Sequence, residues 1–244
     1  SEVSRSAAFI TSGVTNSLVV SIALPYISAD ITVTSDATVR RIGTTVPEIH
    51  FFRAIDDSIG DRRLFTAFGH SSGPGDITVR VKQMVKKNPR NGIALGLDMR
   101  LPTGDERELL GTGAAGVQPF LACSANYTTI SPHINIGYQW NGSSILGGDL
   151  DSGVAEDLPD VGVYAVGAVV ALTPRVTFAA DILGRYIIDS PRVRREDFHA
   201  LDGRSVFPNI TFDTGSINEL SSSLGLKINI VGRMLLNANL LMRL

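Results

Sequence analysis

Residues 92–101, Gly-Ile-Ala-Leu-Gly-Leu-Asp-Met-Arg-Leu, constrain this chain more than any other stretch. Ile93, Leu95, Leu97, Met99 and Leu101 fall on one face, and Ala94, Gly96, Asp98 and Arg100 on the other. A side-chain period of two is that of a β-strand. A strand of about ten residues, oily on one side and polar on the other, is the repeating unit of a transmembrane β-barrel. The fold therefore turns on whether the rest of the chain repeats it.

It does. A first segment covers residues 3–13. In a second, residues 18–32, Leu18, Val20, Ile22 and Leu24 share a face opposite Ser21 and Ala23. Ile77, Val79 and Val81 alternate with Thr78, Arg80 and Lys82 in a third. After the strand at 92–101 come residues 114–126. In the sixth segment Ile134, Ile136, Tyr138 and Trp140 oppose His133, Asn135, Gly137 and Gln139. Residues 161–172 are small and apolar on both faces. Val176, Phe178, Ala180 and Ile182 then oppose Thr177, Ala179, Asp181 and Leu183, with Arg185 continuing the second row. Leu220, Leu224, Leu226, Ile228 and Ile230 oppose Ser221, Ser223, Lys227 and Asn229, and a tenth segment fills 234–244. No amphipathic helix is expected.

The connections alternate in kind. Those near residues 15, 88, 129, 174 and 232 are short. Those at 33–73, 102–113, 141–160 and 189–218 are long and read as loops. Short turns at one end and long loops at the other is the habit of an outer-membrane barrel. A soluble sandwich has no reason to keep that parity. We expect an all-β, antiparallel, up-and-down transmembrane β-barrel forming one domain over residues 1–244. Ten strands are visible. The parity puts both ends of the chain at the long-loop side, so a complete barrel is expected to hold twelve or more.

Composition bears on function by exclusion. A formal net charge of -2 gives no basic excess for nucleic acid. Mean hydropathy is +0.15, oily for a soluble chain and far below that of a helical membrane protein. The longest apolar run is too short to span as a helix. The single cysteine, Cys123, allows no internal disulfide.

Arg80, Lys82, Asp98, Arg100, Gln118, His133, Asn135, Gln139, Asp181, Arg185, Lys227 and Asn229 all oppose apolar rows. Unpaired charge is costly in lipid, so this face must be wet or internally paired. These residues are the candidate lumen lining. Either they line an open pore or they fill a plugged lumen with salt bridges. Arg80, Lys82 and Arg100 are expected to form a basic patch that Asp98 partly neutralises. Asp181 and Arg185 are expected to line another part of the wall.

Leu101-Pro102-Thr103-Gly104-Asp105-Glu106, followed by Leu109-Leu110-Gly111-Thr112-Gly113, resembles the outer-membrane proteins catalogued under the meta pathway of phenol degradation. Residues 73–77, 131–138, 172–175 and 180–185 look similar too. The resemblance covers most of the chain from Ser12 onward and implies a transporter-like barrel taking up aromatic compounds.

Other patterns point elsewhere more weakly. Gly69-His70-Ser71-Ser72-Gly73 matches the nucleophile elbow of α/β-hydrolases, which needs a helix after it. Gly111, Gly113 and Gly116 match a dinucleotide fingerprint, which also needs a helix. His50, His70, His133 and His199 lack metal-ligand spacing. Asp149, Asp151 and Asp157 could hold a weak calcium ion, although a solvated acidic loop explains them better.

The expectation is a bacterial outer-membrane channel, with no enzymatic chemistry, cofactor or metal. Its partners are outer-membrane lipid and small solutes, aromatic or apolar ones among them. A soluble β-barrel or sandwich binding an apolar ligand is the alternative. It would bury the apolar rows and leave the charged rows outside.

Overall fold

A computed structural model describes residues 2–39, 51–53, 58–199, 203–231 and 234–244. The strands are β1 (Glu2–Gly13), β2 (Leu18–Thr38), β3 (Phe52–Arg53), β4 (Ile59–Gly60), β5 (Arg62–Pro74), β6 (Ile77–Lys87), β7 (Asn91–Leu101) and β8 (Gly116–Ala125). They continue with β9 (Ile130–Asn141), β10 (Ser143–Asp149), β11 (Val154–Asp157), β12 (Val161–Thr173), β13 (Val176–His199), β14 (Val206–Val231) and β15 (Met234–Arg243). Among the described residues there is no helix.

One sheet dominates, ordered β1-β2-β6-β7-β8-β9-β12-β13-β14-β15 with β5 also on β2, and every pairing in it is antiparallel. The lower half of β2 pairs with β6 and its upper half with β5. β5 and β6 thus act as one strand broken at Gly75-Asp76. The ten strand segments read from the sequence correspond to ten crossings of this sheet. Among the described residues the edges β1 and β15 are not paired with each other, so the sheet is curled rather than closed. It curls far enough that Arg80 and Lys82 of β6 and Arg185 of β13 line one cavity of 460 Å³.

Three of the four long connections are not loops. β2 and β5 continue as a paired arm from Tyr26↔Pro74 to Thr38↔Arg62. β13 and β14 continue as a second arm from Ser190↔Gly215 to His199↔Val206. A register shift between Ile187 and Ser190, with Asp189 at φ 48°, marks where that arm begins. Residues 141–160 contain the β10–β11 hairpin. Only 102–113 is without a strand. The arms were illegible because they keep no strict alternation: Leu64, Phe65 and Phe68 are irregularly spaced in the first, and in the second the charged run Arg194, Arg195, Glu196 and Asp197 falls on both faces. Cross-strand pairs such as Arg192–Asp213 at 3.3 Å hold them instead of an apolar row. Asp56-Asp57, His50 and the turn at 232–233 lie outside the described residues.

The first arm carries a pH-dependent clasp. Arg62 donates two bonds to Asp36, at 2.8 and 2.5 Å, and holds that carboxyl below its ordinary range. Because the pKa is lowered on pairing, the contribution is complete above the ordinary carboxylate range and fades as acid protonates Asp36. Amide protection of residues 33–37, corrected for intrinsic exchange, is expected to fall below roughly pH 4. Unchanged protection there would mean that the pair adds nothing.

Burial runs opposite to that of a soluble β-protein. No large side chain among the described residues is fully buried. Leu95 is 53% exposed, Ile136 53%, Val166 48% and Leu240 58%, whereas Asp98 is 9% exposed. The outward face thus carries the apolar rows and the concave face the polar ones.

Candidate functional site: the concave wall and its roof

All twelve polar residues singled out above share one face. The register makes this a chain of neighbours. Arg80 sits opposite Asp98, and Asp98 opposite Gln118. Ala122 links β8 to Asn135 of β9, and Ala165 of β12 lies between Asn135 and Leu183. Gly167 lies between His133 and Asp181, Val161 faces Gln139, and Val163 faces Arg185. Thr177 faces Lys227 and Leu235 faces Asn229.

Pairing neutralises the expected basic patch in part. Arg80 Nε and Nη2 donate to the two oxygens of Asp98 at 2.7 and 2.6 Å, a fork-to-fork pair. The Arg80 guanidinium also lies 4.9 Å from the Phe120 ring centroid. That ring spreads across Gly96, where any side chain would overlap it. Arg100 gives Nη2 to Asn141 Oδ1 at 2.7 Å and lies 3.9 Å from Asp76. Of the three cations only Lys82 makes no ion pair among the described residues. Asp181 and Arg185 go to different partners. His133 Nε2 lies 2.7 Å from Asp181 Oδ1, reaching across Gly167, whose missing Cβ leaves the room. Arg185 lies 3.6 Å from Glu219, which Arg243 also approaches at 4.0 Å.

The loop at 102–113 forms a roof over one end of this wall. Asp76, at the break between β5 and β6, is 8% exposed. Its carboxylate accepts from the Gly104 amide at 3.0 Å, the Thr112 amide at 2.8 Å and the Thr112 hydroxyl at 2.7 Å. Thr103 hydroxyl donates to the Gly75 carbonyl and accepts from the Ile77 amide, both at 2.9 Å. Asp105 ties its own turn by accepting from the Arg107 amide at 2.9 Å. Gly104 and Gly111 pack so closely that a side chain on either would strike the other's backbone. The Pro-Thr-Gly-Asp and Gly-Thr-Gly strings are thus the two halves of one clamp on Asp76. Leu110, 6% exposed, plugs the clamp against Gly73. Beneath the roof is a cavity of 440 Å³, reached by Arg5, Ile27, Arg100, Leu109, Gln118 and Gln139.

Asp76, Phe120, Asn141 and Asp160 were missed from sequence. Phe120 lies in the polar row of β8, but an apolar side chain gives no parity signal there. Asn141 simply continues the row of Gln139, which donates to it at 2.8 Å. Asp160 accepts from the Asn141 amide at 3.0 Å and from the Tyr138 hydroxyl at 3.1 Å, contacts between distant segments.

The competing motifs resolve structurally. Gly69 to Gly73 is β-strand, and Ser71 donates to the Glu108 carbonyl at 2.7 Å. Gly116 opens a strand, so the glycine fingerprint has no helix. Asp149 is held below the ordinary carboxylate range by the Ser152 hydroxyl and the Asp151 amide, and so caps its own turn. No group of three or more potential metal ligands occurs among the described residues.

A family profile described as "Putative MetA-pathway of phenol degradation" matches residues 4–156. The chain belongs to this family. The phenol-degradation family match runs from within β1 to within β11, and takes in Asp76, the roof and the Arg80–Asp98 pair. Its description ties the chain to phenol degradation. No curated protein matches the chain significantly.

Proposed function

We propose that the chain forms the wall of a bacterial outer-membrane β-barrel through which small molecules, aromatic or apolar ones among them, diffuse without chemistry or a cofactor. The carrying observation is the inverted burial: exposed apolar rows outside, paired charges inside, and no large side chain fully buried among the described residues. Several strands have the length a tilted crossing needs, with 11 residues in β7, 10 in β8 and 12 in β9. Tyr26, Tyr138, Trp140 and Tyr186 lie on the outward face near the roofed end, and the Tyr138 and Trp140 rings are 5.0 Å apart. Such a girdle suits the bilayer interface. Closure would need β1 and β15 to meet directly or through further strands. A soluble ligand-binding barrel would need the opposite burial.

The salt bridges narrow this lumen without neutralising it, because Lys82 and Lys227 are unpaired among the described residues. An open pore should therefore lean towards anions. The test is detergent fractionation and heat-modifiable gel mobility, followed by conductance in planar bilayers. Arg80→Gln removes one cation and frees Asp98, so selectivity should swing towards cations. A folded barrel with no conductance before or after the change would leave a plugged lumen with a binding role only.

A further inference from the structure

We propose that the 440 Å³ cavity beneath the roof is a binding subsite for an amphiphilic monoanion, a ring-sized apolar body bearing one carboxylate. The inference rests on the barrel reading, which makes the concave face the one that solutes meet.

The first observation is a backbone outlier. Leu109 has φ 58°, a left-handed conformation that costs a branched side chain energy. Glycine occupies positions 104, 111 and 113 of this loop and takes its other left-handed position at Gly113, φ 68°, yet the one at 109 holds a leucine. Its neighbour Leu110 is buried in the clamp, but Leu109 is 50% exposed and lines the cavity. The roof thus holds a strained apolar side chain over an opening in which the protein gives it little to pack against. Pro25 and Ile27 of β2 add to the apolar lining.

The second observation is charge. Four charged side chains of known pairing surround the cavity, and both carboxylates are already satisfied. Asp98 is taken by the Arg80 fork, and Asp76 by three donors of the roof. Arg100 spends Nη2 on Asn141 and Nε on the Ala114 carbonyl at 3.4 Å and has Nη1 left over among the described residues, and Arg5 makes no ion pair among them. Gln118 is without a hydrogen-bond partner among the described residues. A lining that is apolar at Leu109 and Ile27 and cationic at Arg100 and Arg5 fits one carboxylate on an apolar body. A cation would meet two guanidiniums, and a hydrocarbon would leave Arg5 desolvated and unpaired and Arg100 with no more than Asn141, the Ala114 carbonyl and the Asp76 carboxylate 3.9 Å away.

The test is calorimetric titration of the detergent-solubilised protein with benzoate and with its neutral analogue benzyl alcohol. Heat-modifiable mobility is followed in the same samples. Benzoate should bind saturably and benzyl alcohol at least roughly tenfold more weakly. Arg5→Gln should erase that preference. Leu109→Gly should weaken benzoate roughly tenfold while leaving mobility and thermal stability intact or improved, because glycine is relaxed at this φ. A merely structural leucine would give no loss of binding. Equal affinity for the two probes, or no saturable binding by protein that shows the mobility shift, overturns the subsite. Absence of the shift in the unsubstituted protein overturns the barrel reading, and the subsite falls with it.

Discussion

Leu97→Arg should lose about 2–4 kcal/mol of folding stability in lipid vesicles. Leu97 is mid-strand in β7, on the outward row with Leu95 and Met99 and opposite Val81 and Pro119 of the neighbouring strands. An arginine there would have to carry its charge into hydrocarbon or snorkel along the sheet. Asn135→Arg, on the concave face, should cost far less because the proposed lumen offers that side water or counter-charge. Urea titrations of the two variants in vesicles measure the difference directly. Comparable losses would mean that the outward face does not meet lipid. Ala94 is a poorer control than its small size suggests, since it is 3% exposed and an arginine there would be overpacked.

The second large effect is expected at Asp76. Asp76→Ala removes the acceptor for the Gly104 and Thr112 amides and the Thr112 hydroxyl, and strips Arg100 of its carboxylate. Deleting one member of a buried charged network costs about 3–5 kcal/mol. The loss should be local, because the strands on either side keep their own ladders. Trypsin should then cut after Arg107, which the native loop fastens by Arg107 Nη1 donating to the Leu150 carbonyl at 3.1 Å. Asp76→Asn keeps one acceptor oxygen and should cut at an intermediate rate. A digestion rate unchanged in both variants would show that the roof stands without its clamp.

These two sites differ in how they could be known. Leu97 and its row are legible in the bare sequence, because period-two alternation depends only on neighbours along the chain. The same local rule marks Arg80, Asp98, His133 and Asp181 as one polar face. It fails in the arms beyond residue 32, at 33–38 and 62–74, and at 190–199 and 206–215. There apolar and charged side chains are mixed on both faces, and the pairing is set by the partner strand. The Leu-Pro-Thr-Gly-Asp string carries a family resemblance in sequence but not its reason.

Tertiary structure decided who pairs with whom. Three cations on adjacent strands read as a basic patch, but register places Asp98 directly opposite Arg80 and brings Asp76 and Asn141 to Arg100. Gly167 matters because His133 and Asp181 meet across it. Asp76 gains its role only when a loop more than twenty residues on folds back over it. Alternation is a property of one strand, so the sequence alone determined which face the side chains of the alternating segments take. Pairing depends on the lateral offset between strands and on the path of the roof, and no local pattern encodes either.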